Sequence, residues 1–220
     1  MKNKIIGISI LSTLCAISLV TSSCKEKFEC STSNNVPVPQ IMKDYFYYKE
    51  GTWWVYKNVK NNAIDSMWVW QSSSNIYQGQ GSEGFGKTDK CYEQTKSAIR
   101  NFSNPDLMSF RVSNIVTDDR ERFRFIIFWT DTTTTVNKIF ELFFTNSQLE
   151  TIPPLHPIVI SNIDSIILQD KKYHTLIAID ANNYIYDNIK YRLFAKNIGL
   201  IKYIDRDSNQ WELIKYNVNQ

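Results

Sequence analysis

The sequence has few of the residues that mark several common classes of protein. Seven glycines and six prolines in 220 residues are too few for a collagen-like or low-complexity chain. Its two histidines, His156 and His174, lie far apart, so no histidine pair stands at zinc-ligand spacing. Phosphate loops, dinucleotide fingerprints and Gly-x-Ser-x-Gly elbows are also absent. We therefore expect a globular protein that is not an enzyme and that holds no cofactor or metal, although a catalytic site assembled from distant residues stays open.

An excess of charge of either sign is also missing. The chain has 25 Lys and Arg against 22 Asp and Glu, and two of the basic residues, Lys2 and Lys4, lie in the first 23 residues. The remaining balance of 23 to 22 gives no electrostatic reason to expect a nucleic-acid partner. Aromatic residues make up 14% of the chain, which is enough to build a core. We expect one domain over residues 41–220.

Long apolar runs are absent except at the N-terminus. Residues 5–20 are apolar apart from Gly, Ser and Thr, and three small residues then lead directly into Cys24. As a helix, these 16 residues would be about 24 Å long, shorter than the ~30 Å hydrocarbon core of a bilayer. The layout indicates a lipoprotein signal peptide over residues 1–23. An uncleaved membrane helix and an ordinary secretory signal are the alternatives.

Cys24 is the expected lipidation site. Its thiol would carry a diacylglyceryl group and its amine a third acyl chain such as palmitate, and two or three chains hold a protein firmly at a membrane. Cys15 is a poor alternative because Leu14 precedes it and apolar residues follow it. We expect anchoring in the outer membrane, with the periplasmic or surface face undecided. Residues 24–40 are expected to form a flexible tether.

The charged segment after Cys24 has two interpretations. Residues 25–29 read Lys-Glu-Lys-Phe-Glu. They resemble loosely the Lys/acidic signal with which Bacteroidota export some lipoproteins to the outer face. A solvated charged linker accounts for the same residues.

Two cysteines remain once Cys15 and Cys24 are assigned. Cys30 and Cys91 would both lie in an oxidising compartment, and we expect them to form a disulfide. The alternative is two unpaired thiols.

Alternating aromatic and β-branched runs predict strands along most of the domain. The Ser- and Gly-rich segment 72–90 is predicted to be a long mobile loop. No segment after residue 24 shows a sustained helical period. The predicted strands cover residues 52–59, 64–71, 91–102, 107–113, 122–130, 137–145, 163–168, 173–180, 189–196, 200–204 and 211–217. The fold class is mainly β, an antiparallel meander of about ten strands curled into a barrel or half-barrel, with little helix in the mature chain.

Three segments together resemble a known group of proteins. They are Tyr45–Tyr56 (YFYYKEGTWWVY), Tyr173–Ile179 (YHTLIAI) and Phe194–Lys202 (FAKNIGLIK), the last leading to Trp211-Glu212-Leu213. They resemble uncharacterised lipoproteins of Bacteroidota, which open with an aromatic-Gly-x-x-Trp-x-Tyr strand and close with an Ala-Lys-x-x-Gly-Leu-Ile-Lys hairpin. The resemblance implies an antiparallel β architecture similar to lipocalin-like or Lol-type carrier half-barrels, and it carries no assigned activity.

Aromatic side chains on the predicted strands are candidates to line an apolar groove. A sheet filled by its own side chains would give the same pattern. The candidates are Trp54, Tyr56, Trp68, Trp70, Phe125 and Trp129. We expect a lipid-anchored, non-enzymatic binding module for an apolar small molecule. The alternative is an interaction protein or accessory subunit of an outer-membrane complex, with an exposed apolar patch or an unprotected edge strand as its signature.

Residues 205–212 (DRDSNQWE) resemble a calcium loop in having Asp, Asp and Asn at alternate positions. Gln210 stands where the loop needs Gly, and Glu212 comes at the eighth position instead of the twelfth. A polar hairpin turn is the simpler interpretation.

Overall fold

A computed structural model describes residues 29–80, 87–102, 107–117, 120–130, 137–145, 148–150, 158–181 and 189–220. At 79–80, 87–89 and 107–150 only the backbone is described. Among these residues are thirteen strands and one short helix. In chain order they are β1 (Asn35–Val36), α1 (Gln40–Phe46), β2 (Trp53–Asn58), β3 (Ile64–Gln80), β4 (Lys87–Asn101), β5 (Leu107–Thr117), β6 (Arg120–Thr130), β7 (Asn137–Thr145), β8 (Gln148–Glu150), β9 (Val159–Leu168), β10 (Lys171–Asp180), β11 (Ile189–Ala195), β12 (Gly199–Asp205) and β13 (Gln210–Asn217).

The strands form one mixed sheet built from two meanders. The spatial order is β8-β7-β6-β5-β4-β3-β2-β13-β12-β11-β10-β9, so the first long strand, β2, pairs with the last strand, β13. Neighbours along this path are antiparallel, whereas β1 lies parallel to β4 off the path. Among the described strands, β8 and β9 form the two ends of the sheet and do not pair with each other, so the sheet is open. The predicted mainly β, antiparallel fold is confirmed.

Several elements differ from the sequence prediction. Strands β1 and β8 were not predicted, and β9 begins at Val159 instead of residue 163. The predicted loop over residues 72–90 is mostly strand, since β3 continues to Gln80 and β4 begins at Lys87. Most residues of this segment are polar or Gly, so the sequence does not show the alternation of apolar and polar residues that marks a half-buried strand. Helix α1 was not predicted, because its seven residues are too few to show a period, although Met42 and Phe46 pack in the core.

The N-terminal strap, residues 30–46, lies against the sheet. Cys30 and Cys91 form a disulfide, β1 pairs with β4, and Val38 is buried. The segment expected to be a flexible tether over residues 24–40 is therefore held by the domain from Cys30 onward, as the expected disulfide implies. No helix within the described ranges is long and apolar enough to cross a membrane.

Glu93 on β4 holds the strap through polar contacts. Its carboxylate accepts hydrogen bonds from Lys43 Nζ at 2.8 Å, from Val38 N at 3.0 Å and from Ser74 Oγ at 2.8 Å. Burial favours the neutral acid, but these donors and the charge of Lys43 outweigh it, so the pKa of Glu93 is lowered.

The core lies between the strap and strands β2, β3, β4 and β10–β13. At its centre, the Tyr48 ring meets the Trp54 ring edge-on at 5.0 Å, and both rings press on Gly199. Gly199 has a φ of +100°, so it turns the chain into β12 and leaves room for the two rings.

Candidate functional site

The structure divides the predicted groove residues between two faces of the sheet. Trp54 and Tyr56 point into the core, while Trp68 and Trp70 are exposed. The side chains of Phe125 and Trp129 lie outside the described residues. The division follows from register: β2 and β3 place Trp53, not Trp54, opposite Trp68. Directly opposed residues share a face. The four described candidates therefore do not line one groove.

Trp54 and Tyr56 are structural residues. Trp54 Nε1 donates to the Ile198 carbonyl oxygen at 2.7 Å, and the Tyr56 hydroxyl donates to the Leu200 carbonyl oxygen at 2.8 Å. Both polar atoms are thus satisfied by the backbone around the β11–β12 turn. The face that carries these rings is covered by the strap and occupied by protein.

A buried polar cluster lies beside these rings. Asp65 on β3 accepts a hydrogen bond from Asn101 Nδ2 at 2.7 Å and one from the Tyr203 hydroxyl at 3.4 Å. Burial and the Asp65 charge raise the pKa of Tyr203, and burial raises the pKa of Tyr56 well above its usual value. Both phenols stay protonated at neutral pH. They act as hydrogen-bond donors that tie β2, β3 and β12 together.

The opposite face of β2–β4 carries an exposed apolar surface, which we call the aromatic face. Its exposed fractions are 37% for Trp53, 36% for Trp68, 38% for Trp70, 56% for Ile64 and 77% for Phe102. These values are high for large apolar side chains, and their grouping on one face makes it a candidate interaction surface.

Strand register makes the aromatic face continuous. Trp53, Trp68 and Arg100 form one row across β2, β3 and β4. The Phe102 amide donates a hydrogen bond to the Ser66 carbonyl oxygen at 2.9 Å. Phe102 therefore lies beside Ser66, at the level between Ile64 and Trp68 along β3.

Positive charge borders the aromatic face. The Arg100 guanidinium lies 4.4 Å above the Trp70 ring, a cation–π contact. Lys57 stands opposite Ile64 in the register, and Lys215 stands opposite Val55 on the same face. Sequence reasoning found Trp68 and Trp70 but missed Trp53 and Phe102. Adjacent residues of a strand point to opposite faces, but the sequence does not show whether Trp53 or Trp54 shares a face with the tryptophans of β3.

Only one of the two histidines lies in the described part of the chain. His174 is exposed on β10, and His156 lies outside the described residues. Across the described ranges, no group of three or more His, Cys, Asp or Glu is placed to hold a metal ion.

The segment that resembles a calcium loop is the β12–β13 turn. Asp205 Oδ1 accepts from the Asn209 amide at 2.8 Å, and Oδ2 accepts from Asn209 Nδ2 at 3.0 Å and from Trp211 Nε1 at 3.4 Å. Because both oxygens are used by protein donors, this carboxylate serves the turn.

The aromatic face on β2–β4 is the candidate binding surface. Comparisons of the chain with protein-family models, with curated proteins and with solved structures found no match.

Proposed function

We propose that the protein is a lipid-anchored protein of the bacterial outer membrane whose role is binding without catalysis. The anchor is acyl chains on Cys24, which follows an apolar run and small residues typical of a lipoprotein signal. The binding surface is the aromatic face. Its occupant is a protein of the envelope, as expected for an accessory subunit of a membrane complex.

One observation carries this proposal: three tryptophans, a phenylalanine and an isoleucine are exposed side by side on one sheet face. Trp and Arg dominate the energetics of protein interfaces, where an apolar centre is surrounded by a polar rim. Arg100, Lys57 and Lys215 supply such a rim.

An enclosed site for a small apolar molecule has less support. Trp54 and Tyr56, the groove residues on the strap side, are 2% and 0% exposed and contact other core rings. A small ligand needs a concave site that covers most of its surface. The aromatic face is the outer side of a sheet, which suits a protein surface better.

Site-specific photocross-linking in cells that make the lipidated protein tests the binding surface. A photoreactive amino acid replaces Trp68 in one variant and Tyr77 in a matched control, since Tyr77 is exposed on the same strand beyond the aromatic face. We expect a discrete protein adduct from position 68 and none from position 77. Equal adducts from both positions, or no adduct from position 68, would contradict the proposal.

The anchor is tested separately with Cys24→Ser. The wild-type chain should fractionate with the outer membrane, and the variant should become soluble or remain with an unprocessed signal. A variant that is processed and still held in the outer membrane would place the anchor elsewhere.

A further inference from the structure

Strand β9 forms one end of the sheet in the described part of the chain. Among the described strands it pairs with β10 alone. It is ten residues long, and residues 158–168 contain no Lys, Arg, Pro or Gly and only one charge, Asp164. Proteins usually protect long edge strands with such residues, because unpaired backbone groups recruit other strands. Among the described residues 158–168, Asp164 is the one residue of these types.

The sequence of this edge is nearly the same in both directions from Ile163. Residues 158–168 read IVISNIDSIIL. Residues equally distant from Ile163 are matched in type. The matched pairs are Ile158 and Leu168, Val159 and Ile167, Ile160 and Ile166, Ser161 and Ser165, and Asn162 and Asp164.

Burial follows the same symmetry. Val159 is 62% exposed and its match Ile167 is 67% exposed. Ile160 and Ile166 are both half-buried against the core, and the two serines are both exposed. The two halves of β9 therefore present equivalent surfaces at each step away from Ile163.

We propose that β9 pairs with β9 of a second copy of this chain, in an antiparallel dimer whose twofold axis passes beside Ile163. Opposed residues of two antiparallel strands point to the same face of the sheet. If a twofold axis perpendicular to the sheet relates the two strands, one residue must therefore lie opposite the same residue of the second copy. Ile163 meets that condition, and every flanking pair then joins like with like: apolar with apolar, and serine with serine.

Polar and charged residues select this register. With Ile163 at the axis, Asn162 lies opposite Asp164 of the second copy, where an amide can donate to a carboxylate. Moving the axis to Asp164 would set two like charges against each other, which destabilises a sheet. Moving it to Asn162 would place Ser161 opposite Ile163. An isologous contact also uses the edge once per copy, so assembly closes at the dimer.

Cysteine pairing tests the register in the full chain purified in detergent. Directly opposed residues of antiparallel strands have Cα atoms about 4.5–5.5 Å apart, within the range of a disulfide. Under mild oxidation, Ile163→Cys should give a covalent dimer. Ser161→Cys and Ser165→Cys should each stay uncrosslinked alone and should crosslink when mixed. The wild-type chain controls for its own cysteines.

Charged substitutions at exposed positions of β9 test whether the chain associates at all, with sedimentation as the measurement. Val159→Lys and Ile167→Glu should each be monomeric, and an equimolar mixture should recover the dimer because these positions face each other. Val59→Lys, at a 49% exposed position in the β2–β3 turn, should dimerise like the wild type. A monomeric wild-type chain at all concentrations, or crosslinking of Ser161→Cys alone as efficient as that of Ile163→Cys, would overturn the proposal. Loss of the photocross-linked adduct at position 68 would count against the aromatic face as a binding surface and would leave the proposed β9 dimer intact.

Discussion

At the scale of single residues, Gly199 shows most directly how the sequence fixes the fold. A Cβ at this position would lie 2.9 Å from the Tyr48 hydroxyl oxygen and 3.2 Å from Trp54 Cζ2. Because the φ of +100° is also unfavourable for other residues, Gly199→Ala should lower the free energy of unfolding by about 3 kcal/mol or more. Urea unfolding monitored by tryptophan fluorescence measures this change.

Gly51 is the matched control. It has a φ of +88°, but a Cβ there would meet no atom within 4 Å. Gly51→Ala should therefore cost only the backbone strain, roughly 1–2 kcal/mol. If both variants lost the same stability, the packing of Tyr48 and Trp54 against Gly199 would not be the cause.

Burial of tyrosines predicts an alkaline limit to stability. Burial, followed by the nearby Tyr216 and Glu212, raises the pKa of Tyr173 to about 12 from its usual value of 10.0. The unfolded chain thus ionises first, so the stability contributed by the neutral phenol is complete below pH 10 and is lost as the pH rises toward 12. Tyr173→Phe should lose less stability over this range than the wild type in urea titrations.

Tyr77→Phe serves as the comparison, since Tyr77 is half-exposed on β3. Its stability should fall with pH in parallel with the wild type. The same steep fall in Tyr173→Phe would show that Tyr173 is not responsible.

At the scale of elements, the disulfide decides how firmly the strap is held. Cys30 and Cys91 are 61 residues apart, and closing a loop of this size stabilises a fold by about 4 kcal/mol in the chain-entropy model. Cys30→Ala combined with Cys91→Ala should lose stability of that order. Hydrogen exchange should accelerate at β1 and stay slower at α1, which Glu93 still holds. Unchanged exchange at β1 would contradict this.

Most strand positions were predictable from sequence. The aromatic and β-branched run of β2 located it beside an Asn-rich turn, and alternation of large apolar residues located β6 and β7. The outer half of β3 and the first four residues of β4 were missed, since residues 72–80 are mostly polar and their two large apolar residues, Ile76 and Tyr77, are adjacent and do not alternate. Pairing with β4, whose Cys91 and Tyr92 are buried, keeps that part of β3 extended.

At the scale of the whole molecule, the candidate site depended on information that alternation cannot supply. Alternation assigns residues of one strand to two faces, but only register between strands joins those faces into a surface. Trp53 and Trp54 are adjacent on β2 and must point to opposite faces, yet the pairing of Trp53 with Trp68 depends on how the β2–β3 turn closes. The choice between core and surface for each tryptophan likewise depends on where the strap lies.

Because β2 pairs with β13, the sheet cannot be completed until the last strand of the chain is available. Lys49 and Asn219 are joined by a backbone hydrogen bond of 2.8 Å across 170 positions, and Tyr56 lies opposite Leu213. A contact between such distant parts of the chain is slow to form. The two meanders can therefore form separately, but β2 keeps an open edge until β13 is available to pair with it. A chaperone that shields this edge during folding would be expected to improve the yield of folded protein.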